Sequence, residues 1–579
     1  MAQISGSLIS RNYSGFRGVD FSNRKDEVSL YHSPDALNVW KNYKNTNGKA
    51  IQTRPEIELL EEFSDTIFGL FFYTYNGKKH KIVHAGEKLY DDGKALVVTN
   101  NTGNMSSTSD TYMAKNKSNF FVMNNNLYIM DGASYLEYDG TTLSYVEGYI
   151  PTTTIGRSPT GGGTLYEDVN LLSNIRKNSF VADGVSKEYM LDATELDDGS
   201  PVKVWVDDKE VTAFTVDYTS GKVTFTTAPT EPLTVGRDNV VIQFSKTREG
   251  YRNRIEQCTL VEVFDNRVFF SGNPNYPNFL WHCSLDDPSY VSDLDYYTEG
   301  TNDSKIKAII SGNNALWVMK EPSQSNTTIF YHNPTIDAEY GKIYPSTHSS
   351  INTGCISTGL NFNDDIVFFS DRGMEAISGD VTTEQVLSHR SSLIDSKLLN
   401  EANYKNLHLV EYEGYLFIII DNKVYLADSR QMITVNDHNE YEWFYWELGD
   451  NITSSRVDNG VLYLCGDKKI YTLTNNKEDR TVNAYWCTVA DEFKYAQYQK
   501  TTSKKGCVAD VEGSQVTISV RTDNNEFEVN DTFLNTKGYI VPRIKKKKWK
   551  MIQLKFSSTK PFSLYSCTLE AFIGSYVKR

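Results

Sequence analysis

Asn314-Ala315-Leu316-Trp317-Val318, Asp365-Ile366-Val367-Phe368-Phe369 and Gly414-Tyr415-Leu416-Phe417-Ile418 are copies of one theme. A turn-forming residue precedes a burst of aliphatic and aromatic residues, and a second turn follows. Further copies are Asn126-Leu127-Tyr128-Ile129-Met130, Asn266-Arg267-Val268-Phe269-Phe270 and Gly460-Val461-Leu462-Tyr463-Leu464. A weaker one, Lys81-Ile82-Val83, follows the turn Asn76-Gly77-Lys78. Between central residues the spacing is 46 from Ile82 to Tyr128, 48 from Phe269 to Trp317, then 51, 49 and 46 to Phe368, Phe417 and Tyr463. Such a period, with several short strands per unit, is that of β-propeller blades. The theme is apolar on both faces, so we expect it to be each blade's inner strand, hidden between neighbours. Lys423-Val424-Tyr425-Leu426 and Lys469-Ile470-Tyr471-Thr472-Leu473 read as hairpin partners across tight turns. No Trp-Asp signature or sialidase-type aspartate box is present, and the alternative is a set of packed β-meanders.

One interval breaks the period. Tyr128 to Phe269 is 141 residues, and only its ends carry the theme. Pro151-Thr152-Thr153-Thr154 and Gly161-Gly162-Gly163 read as a flexible entry. Beyond them, Val202–Asp208 and Gly221–Thr226 alternate as antiparallel strands. The expected fold is therefore all-β: a β-propeller of six or seven blades with an inserted β-sandwich and a C-terminal β-sandwich. Its boundaries are a wrapping segment at 1–60, propeller parts at 61–150 and 251–480, the insert at 166–248 and the terminal sandwich at 484–579. One helix is predicted, from Ser392 to Asn403, capped by Ser391 or Ser392 with Ile394 and Leu398 one turn apart.

The chain has 579 residues, 39% apolar, 23% charged and 13% aromatic, including 37 Tyr and 28 Phe. This is a globular composition too long for a single core, and its aromatic share favours strands. Lys+Arg is 59 against Asp+Glu 74, a net charge of -15, which excludes a protein that grips phosphates over most of its surface. The charge is segregated. Residues 481–579 hold 16 basic and 9 acidic residues, a net of +7, leaving -22 on the rest. Arg543, Lys545, Lys546, Lys547, Lys548 and Lys550 form the sharpest charge feature and the candidate interaction surface. The run reads either as a solvated turn between strands or as an electrostatic seam for an acidic neighbour or a phosphate backbone.

Motifs of catalysis are missing. There is no HExxH, Walker loop, GxSxG or GxGxxG after a strand. His80 and His84 are four apart in a strand rather than a helix, and the paired aspartates 91–92, 197–198, 207–208, 286–287 and 364–365 fit turns. The seven cysteines are scattered without a CxxC pair and read as small buried residues. We therefore expect no enzyme activity, no catalytic residue, no cofactor and no metal. No signal peptide and no run of about 18 apolar residues is seen, so a chain folded in reducing cytoplasm without a membrane segment is expected.

The opening has its own pattern. Gly15-Phe16-Arg17-Gly18-Val19-Asp20 is followed by Ser33-Pro34-Asp35-Ala36-Leu37-Asn38-Val39-Trp40, then Asn47-Gly48-Lys49 and Thr53-Arg54-Pro55. This order resembles the start of bacteriophage tail nozzle proteins, also called tail tubular protein B, and of the related packaged-DNA stabilisation proteins of short-tailed phages. Glu56 stands where that family usually has glycine. The motif covers about a tenth of the chain, and a propeller with inserted or appended β-domains extends the likeness. The resemblance implies a structural virion protein of the tail, assembled in the host cytoplasm. It would form a ring, expected to be hexameric, that extends or closes the tail tube and serves DNA retention and ejection. The implied partners are copies of itself, neighbouring adaptor, fibre or tip proteins, and genomic DNA that passes without specific binding. The competing reading is a propeller that binds or cleaves glycan at the phage tail or cell surface.

Overall fold

Seven of the chain's reversals through two residues that both have positive φ hold the same place in a sheet: Asn76-Gly77, Asn124-Asn125, Asp265-Asn266, Asn313-Asn314, Asn363-Asp364, Glu413-Gly414 and Asn459-Gly460. Such a turn matches the twist of the strands it joins, and Asn, Asp and Gly tolerate the left-handed conformation best. In a computed structural model of the chain, each turn links the first two strands of a four-stranded antiparallel meander. The structure describes residues 6–46, 48–99, 111–324, 327–338, 341–378, 386–435, 438–474 and 481–576. Asn47 of the Asn47-Gly48-Lys49 motif lies outside them. The fold is all-β, of the β-propeller class, and the described residues form seven such sheets, here called blades 1 to 7 in chain order.

Two compact units are present, Met1–Leu70 with Gly354–Arg579, and Phe71–Thr353. Blades 1 to 4 belong to the second, although the first strand of blade 1, Ile67–Tyr75, begins before the boundary. The theme strands are Lys78–Ala85, Asn126–Met130, Arg267–Ser271, Ala315–Lys320, Asp365–Ser370, Tyr415–Ile420 and Val461–Cys465. Each is the second strand of its blade and not the innermost, which corrects the expectation. First strands of consecutive blades lie side by side instead, as Leu260–Phe264 does with Ile306–Gly312.

The theme is apolar on both faces because each face meets a different blade. Leu127 and Ile129 pack with Phe71 and Ile82 of blade 1, while Tyr128 and Met130 pack with Val268 and Phe270 of blade 3. In the other unit, Leu416 and Ile418 face Phe369 and Ala376 of blade 5, and Phe417 and Ile419 face Leu462 and Leu464 of blade 7. Each such side chain contributes about 1.5–3 kcal/mol by leaving water.

The insert starts earlier than its alternating strands indicated. Thr152–Arg157, read as part of a flexible entry, is a strand that pairs with Thr164–Leu165 and, in parallel, with Ile175–Phe180. Arg157 fixes it by donating to the carbonyls of Gly162 and Met190 at 2.8 and 2.9 Å. A six-stranded and a three-stranded sheet share a core of Phe180, Tyr189, Val204, Val223, Phe225, Ile242 and Phe244.

The C-terminal region is a ten-stranded sheet built around one 25-residue strand, Tyr498–Thr522. On one side it pairs with Glu528–Ile540; on the other, Phe562–Tyr576 covers its first half and Ile552–Ser558 its second. Residues 1–60 do more than wrap. Leu8–Ser14, Ala36–Leu37, Val39–Trp40 and Ile51–Thr53 all enter this sheet, and Glu56–Glu62 pairs with Lys469–Thr474 as the fourth strand of blade 7.

The helix expected from Ser392 to Asn403 shrinks to Asp395–Leu398. Its capping serines serve other partners. Ser391 Oγ accepts from the Met374 N–H and donates to Asp395 Oδ1, and Ser392 Oγ donates to Glu440. Ile394 and Leu398, expected one turn apart on the helix, are both buried.

All seven cysteines are free and buried. A thiol reagent is expected to label none rapidly in the native protein and all seven after denaturation without reductant. Fast native labelling, or fewer than seven thiols on unfolding, would contradict this packing.

Candidate functional site

The basic run is a continuation of a sheet edge. After the strand Glu528–Ile540, the chain loops out and returns as Lys547–Trp549, which pairs with Lys500 and Thr501 on the same side of the 25-residue strand. Between them the Thr502 N–H donates to the Lys546 carbonyl, and Thr502 Oγ1 bonds the Ile544 carbonyl at 2.8 Å. Buried Pro542, Ile544 and Trp549 pin the segment to the core, so Arg543, Lys545, Lys547, Lys548 and Lys550 project into solvent. Lys548 has φ 57, which turns its side chain out of the strand alternation.

Three acids lie beside this edge. Asp531 accepts from the Arg543 backbone N–H at 2.7 Å, and Asp523 accepts from the backbone of Lys550 and Met551. Glu528 pairs with half-buried Lys546, the one member of the six in a salt bridge among the described residues. Exposed Lys504 and Lys505 lie in the irregular stretch just past Thr502 and add to the patch. The structure thus brings all six sequence-predicted residues to one edge. Such a surface suits attraction to an acidic or phosphorylated partner rather than a chemical step.

The N-terminal motif lies within the same unit and is structural. The Val19 N–H donates to the Trp443 carbonyl, Phe21 N–H to Leu393, and Asn38 N–H to Tyr445. Asn38 is the hub: its side chain donates to the Asn483 carbonyl and accepts from Arg54 Nε and the Glu447 N–H. Ala36 pairs with Trp486 of the C-terminal sheet. This strap joins blade 6 to that sheet. Beneath it Lys41 and Glu442 form a fully buried ion pair.

Two titratable groups beside the strap were not singled out by sequence. Burial opposes the charge on His389, but Asp395 and Glu375 outweigh it and raise the imidazole to about 10; their oxygens are 2.6 and 3.2 Å from the ring. Burial raises Glu440 to about 7, where it accepts from the Leu393 N–H. Ser391 or Ser392 reads only as a helix cap, and an expected helix over 392–403 does not bring Asp395 and Glu375 together on the His389 ring.

The remaining candidates are structural. His80 bonds Asp91 at 2.7 Å and His84 bonds Ser118 at 2.6 Å, both histidines buried. Asp92, Asp207, Asp208, Asp286 and Asp364 have positive φ at turns. Asp365 instead begins a strand and ties Arg390 to Tyr441. Among the described residues no group of three or more His, Cys, Asp or Glu is arranged to hold a metal ion, and no helix is long and apolar enough to cross a membrane.

No protein-family model matches the chain, and no curated protein matches its sequence. Among solved structures it is similar to BamB from Moraxella catarrhalis, at 11% identity over 74% of this chain and 100% of that one, with a TM-score of 0.31. It is also similar to an exo-beta-1,3-galactanase from Phanerochaete chrysosporium, at 10% identity over 54% and 94%, with a TM-score of 0.21. The AfRom2 CNH domain shares 11% identity over 52% and 94%, with a TM-score of 0.24. Likenesses this distant carry no argument about activity.

Two outcomes follow from the strap. Gly18 has φ 89, and a Cβ there would lie 2.1 Å from the Trp443 carbonyl oxygen. Gly18→Ala is expected to cost about 2–4 kcal/mol in denaturant unfolding, combining strain with a backbone clash. Glu440 has its folded pKa above the free value, so its contribution is full below about 4.5 and is lost as pH rises through about 7. Melting curves from pH 5 to 8 should show wild type losing stability faster than Glu440→Gln; parallel curves would refute the assignment.

Proposed function

We propose that this chain is a structural protein of a bacteriophage tail. Copies of it form a ring, expected to be hexameric, that extends or closes the tail tube around the DNA channel and serves DNA retention and ejection. The observation that carries the reading is the N-terminal order from Gly15 to Pro55. Of the positions that resemble the tail nozzle family, Asn38 and Arg54 bond Glu447 and Gly18 bridges Trp443, while Ser33 bonds Gly18 and Asp20 within the strap. That these positions are built into the fold supports reading them as a motif.

Charge supports the same reading. A body of -22 repels a duplex and lets it slide, whereas a surface rich in cations would retain it. The basic edge supplies contact to an acidic neighbour within the assembly, either another copy or an adaptor, fibre or tip protein. In this role the protein lacks catalytic chemistry and needs no cofactor.

Gold-labelled antibody against the chain, applied to purified particles from the genome that encodes it, should decorate the tail. Peptides of the chain should also appear in mass spectra of those particles. Absence from the particle by both measurements would overturn the proposal.

A further inference from the structure

A cleft of about 440 Å³ opens where the strap crosses blades 6 and 7, all within one compact unit. Four aromatic residues line it. Trp40 and Tyr415 are buried and make the floor, and half-buried Tyr43 and Tyr412 make the walls. These rings are held in place by the protein itself. Tyr415 donates its hydroxyl to the Lys41 carbonyl at 2.8 Å, Tyr43 donates to Asp428 at 2.7 Å, and Trp40 meets Trp446 edge-on with centroids 5.4 Å apart. The guanidinium of Arg430 lies 3.7 Å from the Tyr43 ring centroid and 4.4 Å from that of Tyr415, and it donates to Asp428 and the Glu413 carbonyl at 2.8 and 2.9 Å. A site ordered in advance loses little entropy on binding.

The rim is charged, and neither sign dominates. Lys44 and Arg430 stand with Glu411 and Glu413, and Lys44 bonds Glu413 at 2.5 Å. The remaining cation, Lys41, is paired with buried Glu442, as Arg430 is with Asp428. A ligand of one charge throughout would meet like charges on this rim. A saccharide would not: its hydroxyls bond the donors Lys44 and Arg430 and the acceptors Glu411 and Glu413 alike, and its C–H face packs on aromatic rings. The volume is that of a small-molecule site. Bordering it are the turns 413–414 and 459–460 and the one-turn helix Tyr43–Thr46, none of which offers a strand edge to a peptide.

We propose that this cleft binds a short, uncharged oligosaccharide. One sugar ring lies against Tyr43 and Tyr412, and the rim fixes its orientation through Lys44, Glu411, Glu413 and Arg430. The activity is binding alone, with no bond made or broken. It adds a recognition function to the structural role above and does not depend on a ring being formed.

An array of oligosaccharides from bacterial surfaces, probed with the full-length chain, tests it. Wild type should bind uncharged members, and titration of the best-bound sugar against tryptophan fluorescence then compares variants. Tyr412→Ala and Lys44→Ala/Glu411→Ala should each weaken binding by about tenfold or more. Lys547→Glu, on the basic edge, should leave it unchanged. Lys44 and Glu411 are exposed, so the double variant decides the matter if Tyr412→Ala lowers the melting temperature. Binding to no member of the array, selection of charged members only, or an affinity that the cleft variants leave unchanged overturns the inference. If the same variants alter only self-association in sedimentation velocity, a protein segment fills the cleft and the inference fails. The tail assignment is decided separately by particle labelling.

Discussion

A chain reversal in two residues, both left-handed, is the constraint on which this structure depends. Seven times it fixes the register of a first and second strand. Register decides which side chains of the second strand face which neighbouring blade, and a slip of one residue would exchange the two faces. In blade 2 that slip would present Tyr128 where Leu127 and Ile129 pack now. Few residues adopt the turn cheaply, which is why Asn, Asp and Gly recur before each apolar burst. Glu413 is the exception, and Gly414 follows it.

A second constraint is closure. Blade 7 has three strands from one end of the chain and its fourth from the other, so Glu56–Glu62 must arrive from the N-terminal strap. The same strap pairs with the C-terminal sheet on its way. Closing such a large loop costs entropy that grows only slowly with length, and several backbone ladders and the Asn38 network offset it. Buried Lys41–Glu442 adds little net stability after desolvation, but it penalises any other position of the strap strongly.

Charge is partitioned along the same lines. Residues 1–480 hold 65 of the 74 acids, and the C-terminal sheet concentrates cations on one edge. There, buried Ile544 and Trp549 hold the lysines outward, Asp531 and Asp523 accept from backbone N–H groups, and Glu528 pairs with Lys546. A basic edge presented in this way attracts acidic surface.

Much of this was written locally. The period of the theme, the turns, the alternating strands of the insert and the clustering of lysines at 543–550 are properties of neighbouring residues, and each determines a conformation or a charge within a few positions. The all-β class and the candidate surface were legible for that reason. The innermost strand of each blade was misread because apolarity on both faces reports burial and not position in a sheet. The helix at 392–403 was overestimated because its serines bond Glu440 and Asp395, the first of these brought close only by folding. Likewise the pairing of Glu56–Glu62 with blade 7 and the strands of the strap in the C-terminal sheet are meetings of residues hundreds of positions apart. Sequence determined the strands and their charges; tertiary structure alone decided which strand fills which edge, because an edge accepts any strand of suitable register and only the fold selects one.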